Sequence, residues 1–166
     1  MPYVYLGKGG RWMFLPDRDE EEEREAVIGY RVEERDDHVL VCGLDDEPGE
    51  GLPGERVFVY GTLTDPVTVA SVLGRVPKIL YPAVLRGYRL ALESVAGRYN
   101  TVVPEEDGVV KGALLLGLSG EELSVIDRYE GYPALYDRRV EVVETPLGDA
   151  EAYVYVARAV AERSKG

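Results

Sequence analysis

The sequence predicts an α+β fold, a mixed, closed or nearly closed β-barrel with short flanking helices and a small β-rich N-terminal extension. Three observations point there. Strand-like segments rich in β-branched and aromatic residues recur through the chain, as in RVFVY, GVVKGALLLGL and EAYVYVA. Only two segments carry both helical periodicity and terminal caps, TDPVTVASVLGR and LSGEELSVIDRYEG. Several strands contain internal glycines, suited to the bends and bulges that curve a sheet onto itself.

Taken in order, YVYLG (Tyr3 to Gly7) and GRWMFLP (Gly10 to Pro16) read as a hairpin around Lys8, Gly9 and Gly10. The run DRDEEEERE, Asp17 to Glu25, reads as a solvated loop or helix face. AVIGYRVEE and HVLVCGL form a second strand pair joined by Arg35, Asp36 and Asp37, and the acidic DDEPGEGLPGE, Asp45 to Glu55, is a linker. Residues 1–54 are therefore expected to be an extension plus linker, and residues 55–166 the main domain.

That domain opens with the strand RVFVY (Arg56 to Tyr60), which stops at Gly61, Thr62 and Leu63. A helix follows, with Asp65 as N-cap and Pro66 in its first position. PAVLRGYRLALES (Pro82 to Ser94) and GVVKGALLLGL (Gly108 to Leu118) are strands. The second helix has Ser119 as cap, Glu122 completing a capping box and Gly131 as left-handed exit. DRRVEVVE and EAYVYVA then make a hairpin around residues 145–149.

The chain has 166 residues, 45% hydrophobic and 30% charged, which suits one domain with a small appendage. A formal net charge of -12 without basic clusters argues against nucleic acid and anionic membrane surfaces as partners. The start MPYVYLGKGGRW is no secretory signal and no apolar run is long enough to span a bilayer. One cysteine, Cys42, excludes an internal disulfide framework and suits a reducing, cytoplasmic setting. One histidine, His38, rules out a histidine-rich metal site. Both are expected to be structural, His38 in a hairpin and Cys42 as a small buried hydrophobe.

Chemistry is suggested by Glu130. At helical spacing it shares a face with the apolar Leu123 and Ile126, whereas Arg128 points away. The following GYPALY supplies an apolar wall with hydroxyls. A carboxyl sheltered there has its pKa raised toward neutrality, as a proton shuttle requires. The turn in VYGTL, Tyr60 to Leu63, exposes backbone N–H groups of the kind that bind carboxylates or phosphates. No lysine follows as in a phosphate loop, and GKGG at Gly7 to Gly10 lacks that spacing, so a carboxylate is the better fit.

FVYGTL at Phe58 to Leu63, YEG at Tyr129 to Gly131 and PALYDRRVEV at Pro133 to Val142 occur together in one order. In this the chain closely resembles the gamma-glutamylcyclotransferase superfamily, nearest to the gamma-glutamylamine cyclotransferases and their plant and microbial relatives. The resemblance runs from about Arg56 to Ala157. It implies a cofactor-free, metal-free enzyme of gamma-glutamylcyclotransferase-like fold that releases 5-oxoproline from a small-molecule γ-glutamyl compound. It further implies that Tyr60, Gly61, Thr62 and Leu63 cradle the substrate's α-carboxylate through main-chain amides. Glu130 would be the catalytic acid/base, and Tyr136 with Tyr153 or Tyr155 would line the pocket. Those last two share a strand face, so both stay candidates.

Two other readings stand beside it. Asp127, one turn before Glu130, would allow a carboxylate-pair hydrolase, although the lone Trp12 lies in the extension and offers no sugar platform. Asp127 is more simply a brace. The fold could also serve as a binding or regulatory module. Arg138 and Arg139 are expected to meet acidic neighbours, at least one of them facing solvent; in the bend AGRYN, Arg98 and Tyr99 are expected to approach the pocket mouth and Asn100 to be a turn residue. The oligomeric state and the amine side of the substrate stay open.

Overall fold

The computed structural model describes residues 3–7, 11–15, 29–43, 51–95 and 99–158. Nine strands form one continuous sheet: β1 (Tyr3–Gly7), β2 (Arg11–Leu15), β3 (Gly29–Glu34), β4 (Val39–Gly43), β5 (Glu55–Val59), β6 (Lys78–Val95), β7 (Tyr99–Leu118), β8 (Tyr136–Thr145) and β9 (Gly148–Ala157). The spatial order is β1-β2-β3-β4-β6-β7-β5-β9-β8, and β8 returns to β6 through Val84 and Glu144. The last five strands in that order thus close a mixed barrel, with β5 and β9 parallel and the other neighbours antiparallel. The barrel class expected from the sequence is the one observed.

Strand β5 shows why the barrel needs helices outside it. Val57, Phe58 and Val59 are all buried in succession, where a half-exposed strand would alternate. Helix α1 (Pro66–Leu73) buries Val67, Val69 and Ala70, and α2 (Gly120–Glu130) buries Leu123 and Ile126. The two helices pack on each other. Their ends are as expected. The Asp65 carboxylate accepts from the Val67 N–H at 3.0 Å, and Ser119 and Glu122 complete a reciprocal capping box. Gly131 ends α2 at φ 80. Arg75, just after α1, grips Glu122 with two bonds of 2.6 and 2.7 Å and so fixes the start of α2.

The extension continues the barrel sheet, since β4 pairs with the first residues of β6 at Val39–Tyr81, Leu40–Leu80 and Val41–Ile79. Its hairpins match the expected pairs, whereas Asp17 to Glu25, Asp45 to Glu50 and Arg98 lie outside the described residues. His38 is buried beside Asp37 at 2.7 Å, and Cys42 is fully buried. Strands β6 and β7 are longer than their sequence patterns suggest. The register passes from Arg86–Val109 to Tyr88–Pro104, so residues 105–108 are set out of the ladder and the strand resumes beyond them. Gly87, at φ 86, supplies the left-handed residue opposite this excursion. Tyr99 and Asn100 belong to β7 rather than to a bend. The β8–β9 turn is also tighter than expected, closing at Thr145–Gly148.

Gly112 marks the closest approach inside the barrel. A Cβ there would stand 2.1 Å from the Val59 carbonyl oxygen and 3.0 Å from the Phe58 ring. The ring could tilt, but the carbonyl belongs to the β5–β7 ladder beside the pair Val59–Ala113. Gly112→Ala is therefore expected to cost at least about 1–3 kcal/mol. Urea denaturation checks this, and an unchanged midpoint would mean that β5 and β7 lie farther apart.

Candidate active site

The site assembles where β5 runs into the glycine turn. Thr62–Thr64 form one 3-10 turn whose bonds use the N–H groups of Thr64 and Asp65, at 3.1 and 3.2 Å. The N–H groups of Thr62 and Leu63 therefore lie at its open N-terminal end. Leu63 is buried and anchors the turn, whereas Gly61 and Thr62 are exposed. A Cβ on Gly61 would meet nothing within 4 Å, so the turn faces open space on that side.

Tyr60 points the other way. Its hydroxyl donates to the Tyr155 carbonyl oxygen and also engages Thr101. Burial pushes its phenol well above the ordinary value, opposed by the Thr101 hydrogen bond, with the charges of Glu130 and Tyr136 adding to the rise. Tyr60 thus feels the charges of both Glu130 and Tyr136. Glu130 is only partly accessible, and burial alone lifts its carboxyl from 4.5 to about 7. In the aromatic segment after the helix, Tyr136 is buried and Tyr132 packs against the core.

The acid helix and the glycine turn are tied directly. The hydroxyls of Thr62 and Tyr129 are 2.7 Å apart, which joins the residue beside Glu130 to the turn. Asp127 sits one helical turn back and faces β8 and β9. Its Oδ1 accepts from the Tyr155 hydroxyl at 2.5 Å and its Oδ2 from Arg138 at 2.5 Å. Both oxygens are thus engaged, which fits a brace better than the second carboxylate of a hydrolase. Arg138 also lies over the rings of Tyr132 and Tyr153, at 4.9 and 4.8 Å.

Tyr153 and Tyr155 share one strand face, as period two requires. Tyr153 packs on Arg138, whereas Tyr155 meets Asp127 through its hydroxyl and Tyr60 through its carbonyl. Of Arg138 and Arg139, the first meets an acidic neighbour as expected, at Asp127. Both are partly buried, and Arg139 donates to the Tyr88 hydroxyl at 3.2 Å.

Thr101 was not among the sequence candidates. It is fully buried, and its hydroxyl accepts from the Ala157 N–H at 2.9 Å while engaging Tyr60. A buried threonine in a long strand gives no local signal of such a partner, which lies 56 residues away. Among the described residues no helix is long and apolar enough to cross a membrane.

Comparison with known proteins agrees with the fold. AIG2-like protein C of Arabidopsis thaliana is 39% identical over 111 residues, 63% of this chain and 61% of that protein. The chain thus spans under two thirds of the length of that relative. A solution structure of another Arabidopsis thaliana protein superposes with a TM-score of 0.58 at 28% identity, covering 72% of each chain. A protein of Methanocaldococcus jannaschii named gamma-glutamylcyclotransferase and putative RNase is 27% identical over 62% of this chain and 46% of its own length. The family described as gamma-glutamyl cyclotransferase, AIG2-like, matches residues 57–166, most of the chain, so this protein belongs to that family.

Proposed function

We propose that this protein is a gamma-glutamylcyclotransferase-like enzyme. The reaction assigned to it releases 5-oxoproline and a free amine or amino acid from a γ-glutamyl compound. The observation that supports this reading is the partly buried Glu130, its carboxyl lifted to about 7, next in sequence to Tyr129, whose hydroxyl meets that of Thr62 in the glycine turn at 2.7 Å.

The chemistry follows from that placement. The substrate's α-nitrogen attacks its own γ-carbonyl carbon, a five-membered lactam forms, and the bond to the departing amine breaks. The α-amine is protonated near neutrality and must shed a proton first. Glu130 accepts it and returns it to the leaving nitrogen, and the second proton that the ring nitrogen sheds on closure leaves with the departing amine as its ammonium, so the carboxyl ends as it began. Ring closure is intramolecular. Holding the chain folded is therefore the larger contribution, up to ~7–11 kcal/mol where orientation is ideal. In this reading the amides of the turn Tyr60 to Leu63 hold the α-carboxylate. Tyr136, with Tyr153 or Tyr155, lines the pocket in this reading.

The experiment is a panel of γ-glutamyl amino acids, amines and the lysine isopeptide, assayed for product. A cyclic lactam supports the reading, free glutamate points to a hydrolase, and binding without turnover to a regulatory module. Glu130 must be ionised to act as base, so kcat/KM is expected to rise about tenfold per pH unit at acid pH and to level off near pH 7. A rate profile flat from pH 5 to 8 would contradict Glu130 as that base.

A further inference from the structure

The ties on the last turn of α2 fall on the residues beside Glu130. Asp127 receives the Tyr155 hydroxyl on one oxygen and Arg138 on the other, both at 2.5 Å. Its main-chain carbonyl accepts from the Tyr132 N–H at 2.9 Å. Arg138 is held in turn between the rings of Tyr132 and Tyr153. Tyr155 faces both ways, gripping Asp127 with its hydroxyl and receiving Tyr60 on its carbonyl. One residue, through its side-chain hydroxyl and its main-chain carbonyl, therefore connects the helix that carries Glu130 to the strand end that carries the glycine turn.

A polar anchor is an expensive choice here. Asp127 and Arg138 keep only 17% and 22% of their side-chain surface exposed, and burying an ion pair seldom stabilises more than apolar packing of the same volume. What charge-assisted bonds add is fixed direction. Leu123 and Ile126 already hold α2 against the barrel, so Asp127 is not needed merely to keep the helix in place.

We propose that Asp127, gripped by Tyr155 and Arg138, is a positioning residue that sets where the Glu130 carboxylate stands relative to the glycine turn and keeps it out of water. This rests on the reading of Glu130 as the acid/base. Asp127 acts through the helix and touches no reacting atom.

Tyr155→Phe is the informative variant, because it removes one hydroxyl and leaves the charge of Asp127 in place. Asp127→Asn would remove a charge as well as a bond and so mix two effects. Tyr60, just past the end of β5, feels the charge of Glu130 and that of Tyr136 at the start of β8. Asp127 and Arg128 flank it on α2, and Arg138 stands beyond Asp127. Tyr155→Phe changes the charge of none of them.

The side-chain carboxyl of Glu130 is followed by carbon NMR across pH, alongside kcat and KM for the γ-glutamyl-lysine isopeptide. In Tyr155→Phe the titration midpoint is expected to fall by about half a pH unit or more as water reaches the carboxylate. Turnover should fall roughly 10-fold to 10²-fold, with KM changed by less than about twofold. Tyr88→Phe, which loses a comparable bond to Glu141 elsewhere in the barrel, should move none of these. A midpoint in Tyr155→Phe equal to that of the unaltered protein overturns the proposal. Should that variant not fold, Arg138→Lys keeps the charge and is read in the same way. Failure of both to fold makes the clamp a structural anchor and also overturns it. The titration needs no turnover, so a protein inactive on every γ-glutamyl compound would refute the assigned reaction while leaving this test able to decide.

Discussion

Glu130→Gln is expected to leave the fold intact and to lower 5-oxoproline release by on the order of 10³-fold. Glutamine matches glutamate in volume and can still donate and accept hydrogen bonds, so the packing around this partly buried side chain should survive. What it cannot do is accept the proton of the α-ammonium or hand one to the leaving nitrogen. The contacts proposed for the α-carboxylate come from the turn at Gly61 and Thr62, so KM should move much less than kcat. Circular dichroism establishes the fold, and release of the lactam at saturating substrate gives the rate. A variant within tenfold of the unaltered enzyme would remove Glu130 from the mechanism, leaving binding geometry to account for turnover.

The parts of this molecule that were legible in the sequence are those whose physics is local. Asp65 and Pro66 start one helix and Ser119 and Glu122 the other, each through bonds spanning two or three residues. Glu130 was visible for the same reason, since its face follows from its spacing to Leu123 and Ile126. Closure of the barrel could be expected as a class from the glycines and the strand count. Its seam could not, because β6 and β8 meet at Val84 and Glu144, far apart in sequence. The excursion at 105–108 hid the first half of β7, because an acidic run in mid-strand reads as a loop.

The architecture of the site was less legible than its central residue. Thr62 and Tyr129 are 67 positions apart, Tyr155 and Asp127 28, and Tyr60 and Tyr155 95. Each pair is made of common residues whose pairing only the fold creates. Asp127 and Arg138 are 11 apart and could be suspected of meeting across the helix exit. Nothing local distinguishes Arg138, which takes that bond, from Arg139, which turns to Tyr88.

The second large effect is on stability, and its sign follows from the same carboxyl. Burial raises Glu130 from 4.5 to about 7 in the folded chain, so folding favours its protonated form. The stability linked to that proton is fully present below about pH 4.5 and is lost as pH rises through about 7. The gap corresponds to roughly 3 kcal/mol at about 1.4 kcal/mol per pH unit, and water at the partly exposed carboxylate trims this to ~2–3 kcal/mol. Many other carboxylates titrate over the same range, so the total pH dependence of unfolding would not isolate this group. The difference between the protein and Glu130→Gln does, because every other carboxylate is common to both. That difference is expected to be small at pH 4.5 and to favour the glutamine variant by ~2–3 kcal/mol at pH 8.5, read from urea denaturation at each pH. A difference that stays constant between the two pH values would mean that Glu130 is hydrated in the folded state. A base hydrated in that way would lack the near-neutral pKa that the proton transfer needs. A fold weakened at alkaline pH by one buried carboxylate, and strengthened when that carboxylate is neutralised at the expense of turnover, is what a site built around an uncompensated acid should display.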